Sequence, residues 1–147
     1  MIRCLLIASV VCLFAVATPG HEGAEPEKVV AAELKMLEGE WRIVTAETGG
    51  QPVESKTVAK FAGAKCTLTD PGFPAVVNTV AIRPSKDPMW MDITNPVTKQ
   101  TFLGIYKLDG DSLIATFQSE KAGRPTQFKT KKESGAVMYT YERIKAK

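Results

Sequence analysis

From residue 40 onward, apolar and polar positions alternate with a period of two, in runs that turn residues interrupt at roughly ten-residue intervals. Such alternation belongs to β-strands that bury one face. It predicts strands over 40–48, 57–61, 65–69, 75–83, 89–94, 101–108, 112–118, 126–131 and 136–144. Gly49-Gly50, Asp70-Pro71-Gly72, 84–88, Asn95-Pro96, Asp109-Gly110 and Gly123-Arg124-Pro125 punctuate them. Eight or nine short strands in meander order predict an all-β domain, either a closed up-and-down barrel or a sandwich. Ahead of the strands the period is helical. Pro26 suits a first helical turn, Glu25 and Glu27 favour its N-terminus, and Val30, Leu34 and Leu37 form one apolar stripe that Gly39 ends. A helix this short, with one apolar face, should pack on something rather than stand alone.

One hairpin can be placed in register. With Asp109-Gly110 as a type I′ turn, Leu108 pairs with Asp111. Phe102 then faces Phe117, Gly104 faces Ala115 and Tyr106 faces Leu113; on the other side Leu103 meets Thr116, Ile105 meets Ile114 and Lys107 meets Ser112. The first face is the more aromatic, and Gly104 opposite Ala115 leaves a notch in it. Either another core side chain or a small apolar ligand occupies that notch. Phe102, Gly104, Tyr106, Leu113, Ala115 and Phe117 are therefore the candidate ligand-binding residues. A second choice arises at Met89-Trp90-Met91, where alternation sends the tryptophan to one face and the methionines to the other. Inward methionines would leave Trp90 as a contact residue; an inward Trp90 would be packing.

The N-terminus predicts export. After Arg3 no charge occurs from Cys4 to Gly20, and the 14 apolar residues 4–17 fall short of the roughly 20 that cross a bilayer as a helix. Ala15-Val16-Ala17 offers the small residues of a cleavage site. The reading is a signal peptide at 1–17, a flexible leader at 18–25 and one domain at 26–147, with Ala24 as the second cleavage choice. Acylation at Cys12 is disfavoured by bulky Val11 before it. The expected location is the periplasm or the cell exterior, with no transmembrane segment. Cleavage removes Cys4 and Cys12 and leaves Cys66, which can form no internal disulfide and sits in Lys65-Cys66-Thr67-Leu68 as a small apolar residue.

Charge and size narrow the class further. Without Arg3 the chain has 18 bases against 16 acids, a balance that excludes a dedicated nucleic-acid binder. The distribution is uneven: 8 bases and 2 acids from Lys121 onward, against 10 bases and 14 acids over 18–120. That makes the last part a solvated basic face or a patch for an anionic partner. About 130 residues suffice for one domain with a real core, read as a monomer.

The chain carries no recognisable catalytic or metal-binding motif. His21 and Cys66 have neither the number nor the spacing of a metal site. Asp109-Gly110-Asp111 lacks the further oxygen ligands of a calcium loop, and no glycine-rich phosphate cradle follows a strand. A Ser-His-Asp or Cys-His mechanism would need its histidine in the folded part, whereas His21 lies in the leader. Asp87 and Asp92 are the nearest carboxylate pair for glycosidase-type chemistry, yet acids on a strand more often face solvent. No enzyme and no cofactor is expected.

Two sets of residues carry a resemblance. Gly39-Glu40-Trp41 resembles the Gly-x-Trp opening of lipocalins, and Arg143 sits where those barrels place a base against that tryptophan. The longer set comprises Leu37-Glu38-Gly39-Glu40-Trp41, Lys86-Asp87-Pro88-Met89-Trp90-Met91-Asp92-Ile93-Thr94, Gly104-Ile105-Tyr106-Lys107-Leu108-Asp109-Gly110-Asp111-Ser112-Leu113 and Arg124-Pro125-Thr126-Gln127-Phe128. It resembles a family of uncharacterised exported domains known mainly from Planctomycetes. The resemblance implies a lipocalin-like up-and-down barrel with one N-terminal helix, with Trp41 and Arg143 as structural residues. It brings no catalytic residues. The expected function is a non-enzymatic binding module for a small apolar ligand; the alternative is an envelope interaction domain with a filled core and a basic C-terminal patch.

Overall fold

The computed structural model describes residues 23–145. The signal peptide, Cys12, His21 and leader residues 18–22 lie outside the described residues. Helix α1 (Glu27–Leu37) is followed by β1 (Gly39–Thr48), β2 (Gln51–Val53), β3 (Val58–Ala62), β4 (Lys65–Thr69), β5 (Val76–Arg83), β6 (Met89–Thr94), β7 (Thr101–Asp109), β8 (Ser112–Ser119) and β9 (Val137–Arg143). Successive strands pair antiparallel from β3 to β9, β1 pairs with β3, and β9 returns to pair with β1. The result is a closed eight-stranded up-and-down barrel with β2 as an extra strand. Closure satisfies the edges that an open sheet would expose.

The faces follow the sequence period. In β5, Asn78, Val80 and Ile82 are buried while Val77, Thr79, Ala81 and Arg83 are exposed. In β1 the alternation changes phase at a bulge between Ile43 and Thr45, so Trp41 and Ala46 are both buried while Val44 is half exposed. The core gathers Leu37, Trp41, Phe61, Met91, Tyr106, Leu113, Phe117 and Tyr141 inside the barrel. Met91 points inward and is fully buried; Trp90 therefore lies on the outer face.

Four expectations need correction. The β7–β8 hairpin turns at Gly110-Asp111, with Asp109 opposite Ser112. Gly110 has φ +57 and Asp111 is not at positive φ, which is the II′ arrangement rather than I′. The register consequently slips by two: Gly104 meets Phe117, Tyr106 meets Ala115 and Phe102 meets Ser119. Because the slip is even, every residue keeps its face. Second, 126–131 is not a strand. β8 pairs directly with β9, so the closed barrel offers it no edge, and it crosses the outer wall, tied by the Thr130 hydroxyl and amide to Glu47. Third, Gly49 and Gly50, at φ +58 and +74, make a tight hairpin that lets Gln51–Val53 pair with Ala46–Thr48. Pro52 fits there because β2 has a free outer edge. Fourth, the end of the leader is engaged: the Ser85 hydroxyl donates to Glu25.

Candidate functional site

The two ends of the barrel differ. At one end α1 lies across the opening and inserts Leu37, whose carbonyl accepts the Trp41 indole N–H at 2.8 Å. The Arg143 guanidinium lies 4.1 Å from the Trp41 ring centroid. It donates to the carbonyls of Glu38 and Met36 and to the Asp111 carboxylate. Here the Gly of Gly-x-Trp acquires a reason. Gly39 has φ +122, and a Cβ there would stand 3.0 Å from Arg143 Nη1. The Tyr106 hydroxyl, beneath the helix, donates to the buried Glu33 carboxylate at 3.1 Å. Burial and that carboxylate push the Tyr106 pKa up. This end is a packed plug.

The opposite end is open. An apolar chamber of about 180 Å³ lies inside it, walled by Phe61, Cys66, Phe117, Tyr139 and Tyr141. Gly135 and Val137 complete its rim. Leu68, Ile93 and Phe102 form a wall shared with a groove of about 370 Å³ at the mouth. The groove adds Phe73, Pro74 and Val76 together with the polar Thr57, Asp70, Asn78, Asn95 and Gln100. Phe73 is 71% exposed and Phe102 37%, so aromatic rings stand at the entrance. Burial pushes the Cys66 thiol up to about 12, which keeps it protonated and unreactive on the chamber wall. Burial likewise raises Tyr139 and Tyr141, whose rings lie 5.7 Å apart.

The six sequence-derived ligand residues divide between these regions. Phe102 and Phe117 line the chamber. Gly104, Tyr106, Leu113 and Ala115 belong to the packed half. The notch at Gly104 exists but is filled: a Cβ there would fall 2.6 Å from both Phe117 Cε1 and the Met91 carbonyl oxygen. Sequence reasoning missed Asn78, Leu68, Ile93, Tyr139 and Tyr141. A signal for Asn78 was present, as the polar member of the inward series Val76, Asn78, Val80, Ile82.

On the outer wall, Arg124, Lys86 and Arg83 surround the Trp90 ring at 4.1, 4.8 and 5.6 Å. Arg124 also forms a two-pronged ion pair with Asp92 and donates to the Gly104 carbonyl at 2.7 Å. Asp92 is thus committed to fixing the outer crossing segment, while Asp87, the other carboxylate considered for glycosidase chemistry, is exposed. Among the described residues no group of three or more His, Cys, Asp or Glu is placed to hold a metal ion. No helix among them is long and apolar enough to cross a membrane.

The fold and this cavity define a small closed β-barrel plugged at one end and apolar at the other. No protein-family model, curated protein or solved structure matches the chain.

Proposed function

We propose that this protein is an exported, non-enzymatic binding module that takes a small apolar ligand through the open end of its barrel. The observation that carries the reading is the apolar chamber opening into the mouth groove opposite the α1 plug. Concave, mostly apolar sites with a few polar groups are where small ligands bind, and barrel mouths are a recurrent setting. The lipocalin-like Gly-x-Trp opening and the charge-free N-terminal run support the same reading by resemblance. Native mass spectrometry of the mature protein, equilibrated with mixed small apolar compounds and lipids, tests it. A retained mass that is lost in Leu68→Trp, which obstructs the shared wall, is the expected result. A clean apo mass in every mixture overturns it.

One observation favours a second reading. The outer crossing segment exposes Lys121, Lys129, Lys131 and Lys132, and Lys129 and Lys131 border a polar cleft of about 250 Å³. An envelope-interaction domain would use this surface. Its mark would be a clean apo mass together with salt-sensitive adhesion to envelope fractions.

A further inference from the structure

The cavity's dimensions and unpartnered groups point to more than apolar character. We infer that the ligand is a single-ring aromatic amphiphile, its ring in the chamber and an uncharged or cationic hydrogen-bonding group at Asn78. This inference rests on the reading that the open end is the binding site.

Three observations carry it. The first is size. A dry cavity of about 150 Å³ lined by Leu, Ile and Phe accepts one benzene, and the chamber here is about 180 Å³. It admits one ring, with room for a short substituent toward the mouth groove. The five rings of Phe61, Phe102, Phe117, Tyr139 and Tyr141 around it favour an aromatic guest, because edge and face contacts add to simple area burial.

The second is Asn78. It is 5% exposed, pairs with Cys66 across β4 and β5, and so stands beside the chamber wall while bordering the mouth groove. Among the described residues no side chain or backbone group hydrogen-bonds its amide. Nor is it sealed off: among the described residues the fully enclosed polar side-chain atoms without partners are Glu25 Oε2 and Thr116 Oγ1, and neither Asn78 amide atom is one of them. The Asn78 amide therefore opens into the cavity with both donor and acceptor unspent. Buried polar groups are normally paired, and a ligand group that pairs this one gains what the protein leaves unsatisfied.

The third is charge. Among the described residues, Asp70 is the one charged side chain bordering the groove, none borders the chamber, and no lysine or arginine borders either. A carboxylate on the ligand would be desolvated there without a cation. An alcohol, phenol, amide or amine meets Asn78, Asn95, Gln100 and Asp70 on complementary terms.

The test titrates the mature protein with benzene, benzyl alcohol, benzylamine and benzoate, followed by ¹⁵N NMR, in wild type and Asn78→Leu. Benzyl alcohol and benzylamine are expected to bind about 5- to 10-fold more tightly than benzene, the worth of one neutral hydrogen bond. Benzoate is expected to bind more weakly than benzene. The Asn78 side-chain NH₂ resonances should shift with benzyl alcohol in wild type, a readout that needs no variant. Asn78→Leu should erase the advantage of the alcohol, read as the ratio of the alcohol and benzene affinities within the variant. Equal affinity for benzene and benzyl alcohol would overturn the inference and leave the apolar-site reading standing. Binding of long-chain lipids with none of the ring probes would do the same. Failure of every apolar compound to bind would overturn both.

Discussion

Replacing Gly104 with alanine sets two effects of opposite sign against each other. The backbone there is not at positive φ, so alanine meets no conformational penalty and removes freedom from the unfolded chain, a gain of about 0.4–1 kcal/mol. Against this, the added Cβ would stand 2.6 Å from the Met91 carbonyl oxygen and 2.6 Å from Phe117 Cε1, closer than real Cβ contacts come. The Phe117 ring is only 8% exposed and the Met91 oxygen is backbone in a paired strand, so neither yields freely. Overpacking of this kind costs about 1–3 kcal/mol. The balance runs from about zero to a loss of about 2.6 kcal/mol, about 1.3 kcal/mol at the midpoints of the two ranges, or roughly 5 °C in melting temperature for a domain of this size. Urea unfolding measures it, with Phe117→Leu as the second arm. Trimming the ring relieves part of the clash, so the double variant should be less destabilised than the two single losses added together. A Gly104→Ala protein as stable as wild type would refute the filled notch and the two-residue shift in register on which it depends.

Arg143→Ala removes the cation from the Trp41 ring and leaves the carbonyls of Met36 and Glu38 without that donor; a loss of about 2 kcal/mol follows, and a wild-type melting curve would contradict it. The Cys66 pKa, raised from 9.0 to about 12, makes the thiol neutral in the native state. Its contribution is whole below pH 9 and is lost as pH rises from 9 towards 12, because only the unfolded chain ionises there. Stability should decline across that window by as much as about 1.4 kcal/mol per pH unit from this group, and denaturant midpoints of Cys66→Ala should fall less steeply. Export predicts a mature N-terminus at Thr18, and sequencing that begins at Met1 or finds an acylated Cys12 would contradict it.

The eight barrel strands and the helix were legible in the sequence because each is set locally, by period and by turn residues. Met91 inward with Trp90 outward remained open there, since alternation fixes opposition but not which side is the core. Hairpin register was out of reach for a related reason. Asp109-Gly110 and Gly110-Asp111 are both acceptable two-residue turns, and the pairing of Leu113 with Tyr141 across the closing β8–β9 ladder belongs to the barrel as a whole. The segment 126–131 has strand-like alternation, but β8 and β9, which flank it in sequence, pair directly with each other and leave it no edge between them. Asn78 could be read as a polar residue at an inward position; that it lacks a partner among the described residues and borders the mouth groove depends on where Leu68 of β4 meets Ile93 and Phe102, which pair across the β6–β7 hairpin. Local chemistry thus determined the helix, the barrel strands and which residues share a face, whereas long-range closure of the barrel decided which face is the core, which residues meet, which notch is filled and which end stays open.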